Sequence, residues 1–349
     1  MVKYRVAING FGRIGRLFFR QAFNHKNLEI IAINDLGDIE NLAYLLKYDS
    51  VYRTYEKPVE IKRDSSGTGG ILTVDGKEIK VLQEKELAKL PWKDLKIDVV
   101  VESTGVFESF EKASAHVALA GARHVVISAP AKDEEGAAGG QTILLGLNDN
   151  KFGTCSISSN GSCTTNAAHP VVAVMHEALG VQKAFLSTTH GYTATQNLVD
   201  GPTKGKDYRR GRAAAVNITP SFTGAAISVT RGLPELNGKF DGIALRVPII
   251  TGSLADFTFV TGRRTSVEEV NEFFKKAAAS DRWKGILGVT EDQLVSSDVI
   301  GMEYASMVDL QYTKVIDGDL VKVLAWYDNE YGYVTTLVKH VLKAAQNPR

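Results

Sequence analysis

A glycine-rich turn near the N-terminus constrains the fold more than any other feature of this sequence. Residues 10–15 read Gly-Phe-Gly-Arg-Ile-Gly and follow an apolar run, Tyr4 to Asn9, that is typical of a buried strand. Apolar residues at helical spacing then predict a helix over Ile14 to Asn24, and a second strand is predicted over Leu28 to Asn34. This order of strand, turn, helix and strand predicts a parallel βαβ unit.

The three glycines of the turn meet the demands of a dinucleotide phosphate site. Gly10 permits the tight turn, Gly12 lets the backbone approach a pyrophosphate, and Gly15 lets the helix pack closely on the strand. Free N–H groups at the helix N-terminus then attract the phosphates. A glycine-rich loop that binds no ligand is the alternative. The cofactor-binding residues predicted from this turn are Gly10, Phe11, Gly12, Arg13 and Ile14.

Asp35 indicates which dinucleotide is bound. It directly follows the second predicted strand, about 20 residues after Gly15. A carboxylate at this place binds the ribose hydroxyls of NAD, whereas it would repel the 2′-phosphate of NADP. No arginine adjoins Asp35 to compensate that charge. We therefore predict NAD as the cofactor, with a helix-capping aspartate as the alternative interpretation.

The pattern up to residue 162 predicts an α/β domain. A hairpin is predicted around Asp75-Gly76, and strands over 99–101 and 124–128 are separated by a predicted helix that ends at Gly121. Strands that alternate with helices favour a doubly wound, mostly parallel sheet of the Rossmann type. We predict residues 1–162 as an NAD-binding domain, onto which a C-terminal helix, 331–349, packs back.

The character of the sequence changes after Ser162. A helix is predicted from there to Leu179, and longer strands follow over 183–192, 242–248, 254–260 and 307–312. These strands indicate one large mixed or antiparallel sheet. We predict residues 163–330 as a catalytic α+β domain, with a long functional loop over Asp200–Asn217.

Composition excludes several other classes of protein. The 349 residues carry a formal charge of +1, which predicts neither nucleic acid nor an anionic membrane as the main partner. The N-terminus lacks the apolar stretch of a signal peptide, no apolar run reaches the ~20 residues that span a bilayer, and we expect a cytoplasmic protein. Two cysteines give no disulfide framework, and we expect no metal site.

One of those cysteines, Cys163, has the surroundings of a reactive thiol. Small polar residues precede it and an apolar helix follows, so the thiol is predicted at a helix N-terminus, where the dipole favours the thiolate. A buried structural cysteine is the alternative, and it is the interpretation that we prefer for Cys155, which we place in a strand. His190, on a predicted strand after Ser187-Thr188-Thr189, is a candidate general base toward Cys163.

The residues around Cys163 show a specific resemblance to a known family. Residues 159–166, Ser-Asn-Gly-Ser-Cys-Thr-Thr-Asn, resemble the active-site signature of the glyceraldehyde-3-phosphate dehydrogenases, with Gly161 where alanine is commoner. The match runs through nearly the whole chain. Its further segments are 9–15, 33–35, 46–50, 102–105, 188–196, 223–226, 234–238, 246–248 and 326–333.

The resemblance implies a reaction and a partner. It implies that D-glyceraldehyde 3-phosphate is oxidised with NAD and inorganic phosphate to 1,3-bisphosphoglycerate, through a thioester on Cys163 that His190 helps to form. The loop Asp200–Asn217 resembles the family's S-loop and implies a homotetramer. A glycolytic or gluconeogenic role follows from the same resemblance.

The resemblance also implies roles for individual residues. Inorganic phosphate would be bound by Ser162, Thr164, Thr223 and Gly224. Thr193 and Arg246 would hold the substrate phosphate, which suits the planar fork of an arginine. Ser128, Asn329 and Tyr333 would contact the cofactor, Asn329 through the nicotinamide amide.

The sequence departs from the family pattern at a few places. Ile227 stands where a lysine is usual, and the segment Gln83–Leu90 lacks an Arg-Asp-Pro contact to the adenine end of the cofactor. The S-loop is slightly extended by Lys204-Gly205-Lys206. Two alternative functions stay open: an erythrose-4-phosphate dehydrogenase with the same cysteine signature, and a non-catalytic binding protein with this fold.

Overall fold

The computed structural model describes residues 2–65, 67, 69–203 and 206–347. The chain divides into two compact units. The first comprises Met1–Ile143, Asn148–Gly161 and Leu337–Arg349, and the second comprises Leu144–Leu147 and Ser162–Thr336. The division thus falls one residue before the boundary predicted from the sequence.

The first unit is built on one nine-stranded sheet in the order β3-β4-β5-β2-β1-β6-β7-β9-β8. Its strands are β1 (Tyr4–Asn9), β2 (Leu28–Asn34), β3 (Val59–Arg63), β4 (Gly69–Val74), β5 (Lys77–Leu82), β6 (Val99–Glu102), β7 (His124–Ile127), β8 (Gln141–Thr142) and β9 (Ile157–Ser159). Its helices are α1 (Arg13–Ala22), α2 (Ile39–Lys47), α3 (Phe110–Ala113) and α4 (Ala115–Ala118).

The parallel part of this sheet has the strand order of a dinucleotide-binding fold. The strands β5-β2-β1-β6-β7-β9 pair in parallel, and the order reverses at β1. Val6, Ala7 and Ile8 of β1 are fully buried, as expected for a strand covered on both faces. The predicted doubly wound sheet is therefore confirmed.

The second unit is built on a seven-stranded mixed sheet in the order β11-β12-β10-β13-β16-β15-β14. Its strands are β10 (Val181–Gly191), β11 (Thr219–Phe222), β12 (Phe240–Val247), β13 (Ser253–Thr261), β14 (Leu287–Thr290), β15 (Ser306–Ile316) and β16 (Leu320–Tyr327). Its helices are α5 (Cys163–Leu179), α6 (Ala225–Gly232), α7 (Val267–Ala278) and the start of α8 (Tyr331–Gln346), whose end belongs to the first unit.

Helix α5 is the central helix of the second unit, and it packs against α6, α7 and four strands of the sheet. Most of its residues are buried, which explains why its sequence is apolar on nearly every face. The predicted helix from just after Ser162 to Leu179 is confirmed, and so is the large mixed sheet.

Several local predictions need correction. The helix expected before Gly121 is two short helices, α3 and α4, joined at Ser114, whose hydroxyl donates to the Glu111 carbonyl and competes with the helical pattern. Cys155 does not lie in a strand; it is a fully buried residue just before β9. The loop 200–217 contains a short 3₁₀ turn at Tyr208–Gly211, and its residues Lys204 and Gly205 lie outside the described residues.

The predicted hairpin is confirmed. Strands β4 and β5 pair in antiparallel fashion around Asp75 and Gly76, whose φ angles of 50° and 74° belong to a two-residue turn of type I′. Within the described part of the chain, no helix is both long enough and apolar enough to cross a bilayer.

Candidate active site

The three glycines of the turn after β1 differ in their surroundings. Two are closely packed against backbone atoms, and the third faces open space. Gly10 has a φ angle of +95°, and a Cβ there would lie 2.5 Å from the backbone nitrogen of Thr104. A Cβ on Gly15 would collide with the carbonyl oxygen of Gly10. A Cβ on Gly12, in contrast, would meet no atom within 4 Å. Gly12 therefore borders open space next to the helix N-terminus.

Among the described residues, Gly12 occupies the capping position of helix α1 and provides no side-chain hydrogen bond to its first turn. Such a helix end offers donors and a partial positive charge to an anion. The guanidinium of Arg13 pairs with Asp49 at 3.1 Å and lies 6.0 Å from the ring of Tyr52. The charge of Arg13 is therefore already paired within the protein.

The carboxylate of Asp35 is held in place by the backbone. The N–H of Phe11 donates to Oδ2 at 2.6 Å, and the N–H of Gly37 donates to Oδ1 at 2.8 Å. Each carboxylate oxygen retains a lone pair for a ribose hydroxyl. Gln83 donates its amide to the Gly37 carbonyl at 2.6 Å, so the segment that departs from the family pattern supports this loop.

The predicted cofactor residues of the first unit follow the carboxyl ends of its parallel strands. Gly10 follows β1, Asp35 follows β2 and Ser128 follows β7, where its N–H donates to the Glu102 carbonyl at 2.9 Å. In open α/β sheets, ligands bind outside these strand ends, at the place where the strand order reverses.

A buried polar network lies beneath this turn, and sequence analysis did not find it. Glu102 accepts from Asn9 at 2.5 Å and from Nε2 of His116 at 3.0 Å. Since Trp92 donates to Nδ1 of His116 at 3.0 Å, the hydrogen donated to Glu102 lies on Nε2. Asn34 donates to Oδ1 of Asn9 at 2.7 Å. The network thereby joins the ends of β1, β2 and β6.

In the second unit, Ser162 determines where helix α5 begins. Its hydroxyl accepts from the N–H of Thr165 at 3.0 Å, and the Thr165 hydroxyl accepts from the N–H of Ser162 at 3.1 Å. This reciprocal capping box places Cys163 at the first position of the helix. The thiol therefore lies in the first turn, as the sequence predicted.

Cys163 and His190 are in contact. The distance from Sγ to Nε2 is 3.3 Å. On the other side of the ring, Nδ1 donates to the Gly191 carbonyl at 2.6 Å, and Nη1 of Arg246 donates to the same oxygen at 3.1 Å. Nη1 of Arg246 also lies 2.9 Å from Nδ1, but the Gly191 carbonyl can only accept, so the shorter contact of 2.6 Å places the ring hydrogen on Nδ1 and leaves Nε2 as an acceptor that faces the sulfur.

The pKa of the Cys163 thiol is shifted in the opposite direction to the one predicted from the sequence. Burial raises the pKa of the Cys163 thiol, although Arg246, Thr164 and the N–H groups at the helix start act in the opposite direction. Burial, and then the charge of Arg246, lower the pKa of His190 to about 3. The expected lowering of the thiol pKa at the helix N-terminus is thus outweighed by desolvation, which disfavours the charged form of both groups.

Arg246 is a partly buried cation poised for an anion. Within the described residues, its Nε has no hydrogen-bond partner. Burial lowers its pKa, and the neighbouring Arg210 acts in the same direction. An anion would compensate both charges. Arg210 was not predicted as a site residue, because one arginine among several in a loop carries no distinguishing pattern.

The other residues predicted to bind phosphate each have their own hydrogen-bond partners. Thr193 contacts the Thr195 hydroxyl at 3.1 Å, to which Arg210 donates at 3.0 Å. Thr223 accepts from the N–H of Ala225 at 3.2 Å, next to Gly224 at the start of α6. In the part of the chain that the structure describes, no hydrogen bond joins Thr193, Thr223 or Gly224 to Cys163 or His190. Ile227, on the same helix α6, is exposed.

Asn329 and Tyr333 both lie after β16. Oδ1 of Asn329 accepts from the hydroxyls of Ser253 at 2.8 Å and Thr251 at 3.2 Å. These two bonds fix the amide and direct Nδ2 away from them, as a donor for another group. Tyr333 is buried in the first turn of α8.

A thiol that contacts a neutral imidazole, in a chain with a dinucleotide-binding turn, defines a class: the nicotinamide-dependent oxidoreductases that use a cysteine. Residues 4–110 match a family profile described as glyceraldehyde 3-phosphate dehydrogenase, NAD binding domain. Residues 162–329 match the profile of the C-terminal domain of the same enzyme. The chain belongs to the glyceraldehyde-3-phosphate dehydrogenase family.

Individual relatives agree along nearly the full chain. A glyceraldehyde-3-phosphate dehydrogenase of Thermotoga maritima is 49% identical over 337 residues, which cover 96% of this chain and 97% of that protein. One from Clostridium pasteurianum is 46% identical over 339 residues and covers 96% of both chains. One from Streptomyces coelicolor is 47% identical, again with 96% of both chains covered.

Among residues 2–65, 67, 69–203 and 206–347, no group of three or more His, Cys, Asp or Glu side chains is arranged to hold a metal ion.

Proposed function

We propose that this chain is a phosphorylating glyceraldehyde-3-phosphate dehydrogenase, which converts D-glyceraldehyde 3-phosphate and inorganic phosphate to 1,3-bisphosphoglycerate with NAD. The contact of 3.3 Å between Cys163 Sγ and His190 Nε2 carries the proposal. It joins a nucleophile to a base whose free lone pair faces it. When bound, NAD supplies the acceptor for the hydride that leaves the aldehyde carbon.

The residues of the pair divide the covalent chemistry between them. The sulfur of Cys163 forms a bond to the aldehyde carbon while its proton passes to Nε2 of His190, which then gives that proton to the former carbonyl oxygen to form a hydroxyl. His190 then accepts that hydroxyl proton as the carbon is oxidised, which leaves a thioester on Cys163. Phosphate oxygen attacks the thioester, and the thiolate leaves as an acyl phosphate forms.

Arg246 connects substrate binding to the base. We assign the substrate phosphate to Arg246 and Thr193, since a guanidinium binds phosphate in a bidentate manner. The charge of Arg246 is one cause of the low pKa of His190. A phosphate dianion beside Arg246 offsets that charge and raises the pKa of His190. The base is thereby strengthened when substrate is present.

The attacking phosphate and the cofactor are assigned to the remaining predicted residues. Inorganic phosphate is assigned to Ser162, Thr164, Thr223 and Gly224. The turn at Gly10, Phe11, Gly12, Arg13 and Ile14 would hold the pyrophosphate, and Asp35 the ribose. Ser128, Asn329 and Tyr333 complete the proposed cofactor set, with Nδ2 of Asn329 donating to the nicotinamide amide.

Exposed apolar side chains support the proposed homotetramer. Phe222 is 80% exposed at the end of β11, and a set of residues in and beside the loop 200–217 is exposed to a similar degree. Patches of this kind mark surfaces that another chain covers. The set consists of Leu198, Val199, Tyr208, Val216 and Ile218. A cytoplasmic location completes the proposal and rests on the family resemblance.

The proposal is tested by NADH formation with purified protein, NAD and glyceraldehyde 3-phosphate, with and without inorganic phosphate. Erythrose 4-phosphate is assayed in parallel. Strong phosphate-dependent turnover of the triose is expected. Preference for the tetrose, or turnover independent of phosphate, would reject the assigned substrate and acceptor, and no turnover on either would favour a non-catalytic binding protein.

A further inference from the structure

Tyr327, the last residue of β16, is a buried tyrosine that the proposed reaction does not use. It is 1% exposed. Its hydroxyl lies 3.1 Å from Oγ1 of Thr164 on α5 and 2.7 Å from Oγ1 of Thr188 on β10. Three hydroxyls from three different elements thus form one chain of hydrogen bonds.

This chain ends at the nucleophile. Oγ1 of Thr164 lies 3.9 Å from Sγ of Cys163, within the range of a hydrogen bond to sulfur. Each hydroxyl has a single hydrogen and can accept on its oxygen. The hydrogens can therefore run toward the sulfur, from Thr188 through Tyr327 and Thr164, or be turned away from it.

The charge on the sulfur selects between these directions. When the thiol proton passes to Nε2 of His190, the sulfur becomes an acceptor, and the direction that ends on it is favoured. Hydrogen bonds to an ionised acceptor are stronger than those between neutral groups, and members of a chain polarise one another. A fixed donor behind Thr164 therefore stabilises the thiolate more than Thr164 alone.

We propose that Tyr327 is a positioning residue that orients the Thr164 hydroxyl toward Cys163 and so stabilises the thiolate. The inference rests on the proposed role of Cys163 as the nucleophile. Tyr327 acts through Thr164 and does not itself touch the reacting atoms.

Tyr327 is suited to this task because it stays protonated. Burial, and then the neighbouring Cys163, raise the pKa of its hydroxyl well above the ordinary value. In the part of the chain that the structure describes, the other titratable groups at the thiol are His190 and Arg246, with Arg210 acting on both. The ring of Tyr327 also lies edge-on to that of His190, with centroids 6.0 Å apart. The test must therefore separate the hydroxyl from the ring.

Tyr327→Phe removes the hydroxyl and keeps the ring. The measured quantity is the rate at which iodoacetamide alkylates Cys163 as a function of pH, followed by mass spectrometry of the Cys163 peptide. We expect the rate at pH values below the thiol pKa to fall roughly three- to tenfold, the effect of one hydrogen bond, with an unchanged plateau at high pH. Tyr312→Phe, at an exposed tyrosine of β15, is the matched control and should leave the profile unchanged.

A double-mutant cycle decides whether the effect passes through Thr164. In a Thr164→Val background, Tyr327→Phe should cause no further change. An equal change in both backgrounds would overturn the proposal, and so would an unchanged profile in folded Tyr327→Phe. If that variant fails to fold, Thr188→Val replaces it, with a smaller change in the same direction expected and no change contradicting the proposal.

Alkylation does not require turnover. The outcome is therefore independent of whether the substrate assigned under the proposed function is correct, and the NADH assay on the unmodified enzyme reports on that assignment separately.

Discussion

Nε2 of His190 lies 3.3 Å from Sγ of Cys163, with the ring hydrogen held on the opposite nitrogen by the Gly191 carbonyl. The side chains come from different parts of the chain, the start of α5 and the end of β10. Burial raises the pKa of the Cys163 thiol and lowers the pKa of the His190 imidazole, so it disfavours the charged form of both groups.

His190→Asn removes the base and keeps a polar side chain. Proton transfer by a positioned side chain contributes typically 10²–10⁴-fold to a rate, so we expect kcat to fall by roughly this factor while the affinity for NAD is retained. Steady-state kinetics and NAD titration measure both quantities. His25→Asn, in the first unit, serves as the control. A loss below tenfold in His190→Asn would contradict the assigned role.

The glycines of the turn give a matched pair of variants. In Gly12→Ala the new Cβ enters open space, so we expect the fold to be retained and NAD binding to weaken by at least tenfold. In Gly15→Ala the Cβ meets the Gly10 carbonyl oxygen, so the protein itself should be destabilised. Thermal unfolding and NAD titration distinguish the two effects. Unchanged NAD affinity in Gly12→Ala would show that no ligand approaches this turn.

Asp35→Ala should weaken NAD and relax the discrimination against NADP. The substitution removes the carboxylate, which is both the acceptor for the ribose hydroxyls and the negative charge that repels a 2′-phosphate. The measurement is kcat/KM with each cofactor, compared with Asp38→Ala, an exposed carboxylate that caps α2 nearby. The ratio of NAD to NADP should fall only in Asp35→Ala. Equal ratios in the two variants would argue against a ribose contact.

Buried histidines make the protein sensitive to acid. Burial lowers the pKa of His124 to about 4, and the pKa of His340 is also lowered by burial, with Ser158 joining the two rings at 2.8 Å on each side. The unfolded chain takes up protons below about pH 6.5 that the folded chain does not, so stability falls as the pH drops from 6.5 toward 4. For His124 alone, this decrease in the free energy of unfolding is on the order of 3 kcal/mol.

Urea unfolding at a series of pH values tests this prediction. His124→Gln should be less stable than the wild type near pH 7, because a hydrogen bond is lost. The difference should narrow between pH 6.5 and 4, since the variant has one fewer proton to take up on unfolding. If the plots of unfolding free energy against pH run parallel for the wild type and His124→Gln, the prediction is contradicted. His176→Gln, at a partly exposed residue of α5, is the control.

The sequence predicted the parts of the site that depend on local patterns. The glycine spacing, Asp35 after β2 and the polar segment before α5 are contiguous signals, and their elements formed where expected. The Glu102–His116–Trp92 network and the bridge from Thr164 through Tyr327 to Thr188 join residues far apart in the chain. No local pattern reports such contacts. The direction of the Cys163 pKa was also missed, because the sequence shows the helix start but not the depth of burial.

A single-turnover experiment tests directly whether Cys163 carries the thioester. Enzyme is mixed with NAD and glyceraldehyde 3-phosphate in the absence of phosphate, and NADH and the mass of the Cys163 peptide are followed. We expect a rapid burst of NADH with an acyl group on Cys163, discharged by added phosphate, and neither signal in Cys163→Ser. An NADH burst with the acyl group absent from Cys163, or a burst that persists in Cys163→Ser, would contradict the assignment.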